Sequence, residues 1–313
     1  MNKEKLIANS LLLLTAVIWG SAFVAQRVGM NYVGPFTFQA TRFTLACVVL
    51  IPVIYFMGKS SKKQMETSGC GKEELSPEEK KKETKALLKA GITCGTILFC
   101  GSSLQQFGLV FTSAGKAGFI TALYIILVPV FSLALRQRPG FKCWIGVAFG
   151  AVGLYFLCIT ESFSIAPGDL IVLIGAVFWA CHVLVIDHFL PKVSDPIKMS
   201  FIQFVTTTVY SYICALIFED ISWNAIMAAA VPILYAGALS GGIGFTLQIL
   251  GQKHTNPTVA SLLLSMESVF AAVFGFLLLN EMMSFRETLG CVLMFIAIIV
   301  SQLPDKKKPV MIS

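Results

Sequence analysis

The segment GSSLQQFGLVFT at residues 101–112 returns as GFTLQILGQKHT at residues 244–255. Gly101, Gln105, Gly108 and Thr112 thereby match Gly244, Gln248, Gly251 and Thr255 with the same spacing in both copies. Each copy lies in an apolar block, and the chain holds ten such blocks. They are Leu6–Gln26, Phe36–Met57, Leu87–Thr112, Ala117–Leu135, Phe141–Ile159, Gly168–Ile186, Met199–Phe218, Ala225–Gly251, Thr258–Leu279 and Phe285–Leu303, numbered here as spans 1 to 10. A helix rising 1.5 Å per residue needs about 20 apolar residues to cross the hydrocarbon of a bilayer.

Composition agrees with that class. Of 313 residues 56% are hydrophobic and 13% charged, against roughly a quarter charged in soluble domains. The blocks are unbroken, whereas barrel strands alternate apolar and polar residues, so an all-α integral membrane protein is expected. Span 1 ends in Gln26-Arg27 without a small-residue cleavage site and is kept as a span.

The repeat extends beyond the opening pair. Ala16-Val17-Ile18-Trp19 of span 1 is answered by Ala176-Val177-Phe178-Trp179 of span 6, and Gln39 of span 2 by Gln203 of span 7. Phe141-Lys142 and Gly146 open span 5 as Phe285-Arg286 and Gly290 open span 10; Val128–Phe131 of span 4 is matched to Glu267–Phe270 of span 9. The halves are residues 1–160 and 161–313. Five spans per half is an odd number, so the second copy enters the membrane from the opposite side. Two inverted five-helix repeats with both termini cytoplasmic are expected, an architecture typical of secondary carriers.

Lysine and arginine set the orientation. Segments expected inside hold twenty of the 24, including eight lysines between spans 2 and 3; outer ends hold Arg27, Lys116 and Arg286, and Arg42 lies within span 2. The formal charge of +7 then reports topology and attraction to anionic lipid rather than nucleic acid. In the polar stretch 58–86, Ser76-Pro77-Glu78-Glu79 is a capping box, predicting a cytosolic helix that runs into span 3. None of the nine cysteines forms a Cys-x-x-Cys pair and the three histidines are scattered. No metal site or cofactor is expected, and Gly-x-x-x-x-Gly-Lys-Ser/Thr does not occur.

The chain resembles the drug/metabolite transporter superfamily, in its EamA-type branch, over nearly its whole length. The resemblance rests on Ala16 to Phe23 around Trp19, on Ala40-Thr41-Arg42-Phe43, on Thr112 to Phe119, and on Ala260 through Glu267-Ser268-Val269-Phe270. Where the family more often has proline after the glutamate this chain has Ser268, so the resemblance leaves a helix break at that position open. The resemblance implies a ten-span carrier of the bacterial cytoplasmic membrane, often exporting amino acids, metabolites or drugs.

Ionisable groups inside spans are costly and become candidates for function. Glu267 falls near the middle of span 9, where it pairs with a substrate amine, carries a coupling proton, or serves as a structural carboxylate. Arg42 either binds a substrate carboxylate, snorkels, or holds a helix end. His182 is a proton relay or a packed residue. Gln105 with Gln248 and Gln39 with Gln203 line a cavity or join helices. Trp19, Trp179 and Tyr124 either line a pocket for an apolar or aromatic solute or simply pack the bundle. Pro232 with Gly237, Gly241, Gly242 and Gly244 predicts a kink or local unwinding in span 8. A carrier of a small solute by alternating access, with proton coupling as an option, is the leading reading. A channel, a non-transporting sensor and a lipid-handling membrane enzyme are the alternatives; the clustered carboxylates or His-Glu-x-x-His helix of such an enzyme are missing.

Overall fold

The computed structural model describes residues 3–67, 76–111, 114–137, 139–158, 167–279 and 284–303. Among them every regular element is a helix. Spans 1, 2 and 3 are α1 (Lys3–Gly29), α2 (Pro35–Thr67) and α3 (Pro77–Phe111). Span 4 is divided into α4 (Ala114–Ala122) and α5 (Tyr124–Ala134); spans 5, 6 and 7 are α6 (Phe141–Cys158), α7 (Pro167–Phe189) and α8 (Pro196–Phe218). Span 8 runs as α9 (Trp223–Ala228), α10 (Ala230–Leu234), a π-helical stretch Tyr235–Gly244 and α11 (Phe245–Gln252). Span 9 is α12 (Pro257–Leu264) and α13 (Glu267–Leu279), and span 10 is α14 (Phe285–Gln302).

Among the described residues six stretches are long and apolar enough to cross a membrane: Lys3–Gly29, Pro35–Phe56, Pro77–Phe111, Pro167–Lys192, Pro196–Phe218 and Ala230–Gln252. Four shorter apolar stretches, Ile120–Ala134, Phe141–Phe156, Pro257–Ala271 and Thr288–Ser301, fall on spans 4, 5, 9 and 10. Large apolar side chains lie on the surface, and polar side chains are buried beside the apolar core. Phe285, Val231 and Leu216 are exposed, while Gln39, Gln203, His182, Thr207, Ser211 and Ser261 are fully buried. That reversal is stable only where the surrounding solvent is hydrocarbon, which leaves polar side chains to find partners inside the bundle. The chain is an all-helical, multi-pass membrane protein.

Local sequence explains several boundaries. The capping box forms as expected: Glu79 N donates to Ser76 Oγ at 3.2 Å and Ser76 N to Glu79 Oε2 at 2.9 Å. From there α3 continues unbroken into the bilayer. The part of the 58–86 stretch between 68 and 75 lies outside the described residues, as do the ends at 1–2 and 304–313. Helix α2 extends to Thr67, beyond the expected Met57, since nothing after the apolar block breaks it.

Spans 4 and 9, each a single apolar block in the sequence, are both broken. At the first break Leu123 N bonds Ile120 O at 3.2 Å, and at the second Met266 N bonds Leu263 O at 3.3 Å; both are i→i+3 turns that tighten the helix. Around the second break the hydroxyls of Ser261 and Ser265 bond the carbonyls of Thr258 and Leu262, which offers the backbone an alternative to the regular ladder. The breaks stand 143 residues apart, the separation of Tyr124 and Glu267. Tyr124 is therefore the counterpart of Glu267, and the match of Val128 to Glu267 is out of register by one turn. In span 8 the expected kink is a widened helix rather than an unwound one.

Helix pairings recur when each span is exchanged with the one five places on. Helix α3 packs on α7 as α11 packs on α1; α3 packs on α8 as the π stretch packs on α2; and α2 with α8, and α6 with α14, are paired with each other. Glycines make these contacts close. A side chain at Gly108 would strike Val172 and the Gly168 carbonyl, and one at Gly251 would strike Leu12 and the Ala8 carbonyl. Gly95 lies against the Gln203 carbonyl, where a Cβ would be 2.6 Å away, and Gly237 lies at the same 2.6 Å from the Arg42 carbonyl. By these contacts Arg42, and not Gln39, holds the place that Gln203 holds in the other half.

One latch was not visible in the sequence. Glu219, at the end of α8, accepts from Phe36 N and Thr37 N at 2.8 Å each and from Thr37 Oγ1 at 2.7 Å. Its carboxylate thus caps the N-terminus of α2, a favourable place for negative charge. Glu219→Ala is expected to cost about 1–2 kcal/mol, read as a lowered melting temperature in detergent.

Candidate functional site

The two helix breaks bring their first residues together. Tyr124 opens α5, Glu267 opens α13, and Tyr124 Oη donates to Glu267 Oε1 at 3.3 Å. Both side chains are buried, at 3% and 4% exposure. Span 1 crosses directly over the second break: a Cβ on Gly20 would lie 2.6 Å from the Glu267 carbonyl.

Arg42 reaches the same cavity from α2. Its Nη1 donates to Gln26 Oε1 at 2.8 Å and its Nη2 to Gln39 Oε1 at 3.5 Å. The guanidinium also lies 4.9 Å from the Phe43 ring centre, a cation–π distance. Its Nε has no hydrogen-bond partner among the described residues. Among the described residues no ion pair joins Arg42 to Glu267. The two face one cavity without neutralising each other, and Arg42 is held by the amides of Gln26 and Gln39 and by the rings of Phe38 and Phe43.

Gln39 passes this support on, its Nε2 donating to Ser103 Oγ at 2.9 Å, and Gln105 Nε2 donates to Thr121 Oγ1 at 3.2 Å. The cavity floor is aromatic. Phe245 stands 4.7 Å from Trp19 and 6.0 Å each from Trp179, Phe43 and Phe204 between ring centres. The space left to water-sized molecules is about 40 Å³.

Of the residues singled out in the sequence, Glu267, Arg42, Gln105, Trp19, Trp179 and Tyr124 line this cavity. Gln39 supports it through Arg42. His182, Gln203 and Gln248 do not line it. His182 Nε2 is bonded to Gln203 Oε1 at 3.1 Å, and the His182 ring lies 6.0 Å from the rings of Phe245 and Trp179. Phe23, Gln26, Thr121, Ser240 and Phe245 also line it without having been singled out. Gln26 carried a usable signal, an amide within an apolar block. Phe245 carried none, being one of 25 phenylalanines.

Comparison with known proteins gives a consistent picture. The model of the EamA-like transporter family matches residues 6–159 and again residues 166–302. An uncharacterized transporter of Archaeoglobus fulgidus is 28% identical over 305 residues, covering 96% of this chain and 87% of the relative. The uncharacterized transporter YoaV of Bacillus subtilis is 24% identical, covering 94% of this chain and 96% of its own length. The uncharacterized inner membrane transporter YedA of Escherichia coli is 25% identical over 52% of this chain and 48% of its own. One solved crystal structure superposes with a TM-score of 0.70 at 20% identity, covering 94% of this chain and 96% of that one, a likeness of fold.

Proposed function

The chain belongs to the EamA-like transporter family, and from that premise we propose that it is a secondary carrier that exports or exchanges a small metabolite, amino acid or drug by alternating access. In this reading ten spans form two inverted repeats, residues 1–160 and 161–313, in the bacterial cytoplasmic membrane with both termini inside. The paired helix contacts and the family match falling once on each half support the repeat. The lysine distribution supports the orientation.

The observation that carries the function is the cavity bearing a buried guanidinium and a buried carboxylate that are not ion-paired with one another. Keeping both unneutralised in a low-dielectric interior is costly unless a ligand completes them. Arg42 is assigned a substrate carboxylate or similar anionic group. Glu267 is assigned an amine or the coupling proton, Trp19 and Trp179 an apolar body, and Gln105 a polar edge. His182, Gln203 and Gln248, which do not line this cavity, are assigned to the path that opens in the opposite state. The cavity must widen to admit such a solute, as alternating access requires.

The test is flux. Purified protein in proteoliposomes, offered labelled amino acids, small amphipathic metabolites and cationic dyes under an imposed pH gradient, is expected to show saturable transport of some of them. No saturable flux across all three classes would overturn the reading.

A further inference from the structure

Trp19 and Trp179 are counterparts, and their indoles are treated unequally. Trp19 Nε1 donates to the Ser240 carbonyl at 3.2 Å, inside the π-helical stretch. Trp179, only 9% exposed, packs against Gly101 of α3, and its Nε1 finds no acceptor among the described residues. Buried donors in native structures almost always have partners. An orphan of this kind calls for an explanation.

The backbones facing the two indoles explain the difference. Residues 235–244 are π-helical, whereas the matching residues 92–101, at the separation of Gly101 and Gly244, are regular α-helix. A π turn leaves a carbonyl open to an outside donor, and that of Ser240 accepts from Trp19. On α3 the matching carbonyl, of Ile97, lies within the α-helical ladder.

Resting on the alternating-access reading, we propose that Trp19 and Trp179 are reciprocal latches: Trp19 holds the present state through Ser240, and Trp179 holds the opposite state through the span 3 backbone when the wide turn forms there. The repeat makes the two states mirror images, so the orphaned indole of one state is the satisfied indole of the other. Each indole then biases one two-state equilibrium in its own direction.

Hydrogen exchange in lipid nanodiscs tests this with the whole chain. Phenylalanine keeps a ring at each position and removes only the donor. Losing one hydrogen bond shifts the populations by about threefold to tenfold. Trp19→Phe should speed exchange in residues 92–101 relative to 235–244 by that factor. Trp179→Phe should change the ratio in the reverse direction, and the double variant should return near the wild-type ratio. A merely structural tryptophan would loosen its own surroundings and give no reverse shift. Shifts of the same sign, or an unmoved ratio in Trp179→Phe, overturn the latch. Slow two-population exchange of the cavity wall at residues 19–26 of the wild type reports the carrier reading independently of either indole. If it is seen with unshifted variants, only the latch is lost; if it is missing, the latch falls with the reading.

Discussion

Glu267→Gln is expected to abolish pH-driven accumulation while sparing solute exchange. Glutamine matches glutamate in shape and keeps a carbonyl oxygen to accept from Tyr124 Oη, which now lies 3.3 Å from the carboxylate. The bundle contact between the two broken spans therefore survives. What is lost is the capacity to hold a proton. With one proton per solute, a gradient of one pH unit sustains about tenfold accumulation, equivalent to about 1.4 kcal/mol. The variant should instead equilibrate at equal concentrations on the two sides, whatever the gradient. Exchange of labelled for unlabelled solute needs no net proton movement and should continue. Both are measured in the same proteoliposomes, with and without an imposed gradient. Accumulation unchanged by the substitution would remove Glu267 from proton coupling and leave it a structural partner of Tyr124.

Arg42→Gln is expected to raise the half-saturation concentration for a carboxylate-bearing solute by about 10- to 100-fold, the loss of one hydrogen bond to a charged group. The matching carboxamide, which never used the charge, should change by a few-fold at most. This contrast separates recognition from support. Arg42 also holds Gln26 and Gln39 and lies over Phe43, so a damaged cavity would weaken both solutes alike. Equal losses would assign Arg42 to structure. Arg42→Lys should recover part of the discrimination, because it restores the charge without the planar fork.

The class of the molecule was open in its sequence. Ten apolar blocks, their charge asymmetry and the repeated GSSLQQFGLVFT pattern required no tertiary information, because a bilayer imposes its thickness on each segment separately. The capping box at Ser76–Glu79 was equally local, both partners lying within one helical turn. The candidate site was legible in part. Glu267, Arg42, Trp19, Trp179, Tyr124 and Gln105 drew notice because polar or aromatic groups within apolar blocks are conspicuous, and the fold brings these six onto one cavity.

Other features needed the third dimension. His182, Gln203 and Gln248 share the chemistry of the cavity residues yet do not line the cavity, and no spacing along the chain encodes which of several buried polar side chains meet at one place. Gln39 was matched to Gln203 by residue type, but the contacts of Gly95 and Gly237 give that place to Arg42. The Glu219 latch joins residues 183 positions apart, and the partnership of Tyr124 with Glu267 spans 143.

By itself, then, the sequence determined that this is a helical, multi-pass membrane protein, since hydrophobic thickness is a property of single segments. Only the tertiary structure decided that spans 4 and 9 break, that span 8 widens into a π turn, and that Tyr124 and Glu267 meet across the cavity. These depend on how closely neighbouring helices approach and on which carbonyls and hydroxyls are left to bond, and neither is fixed until the helices pack.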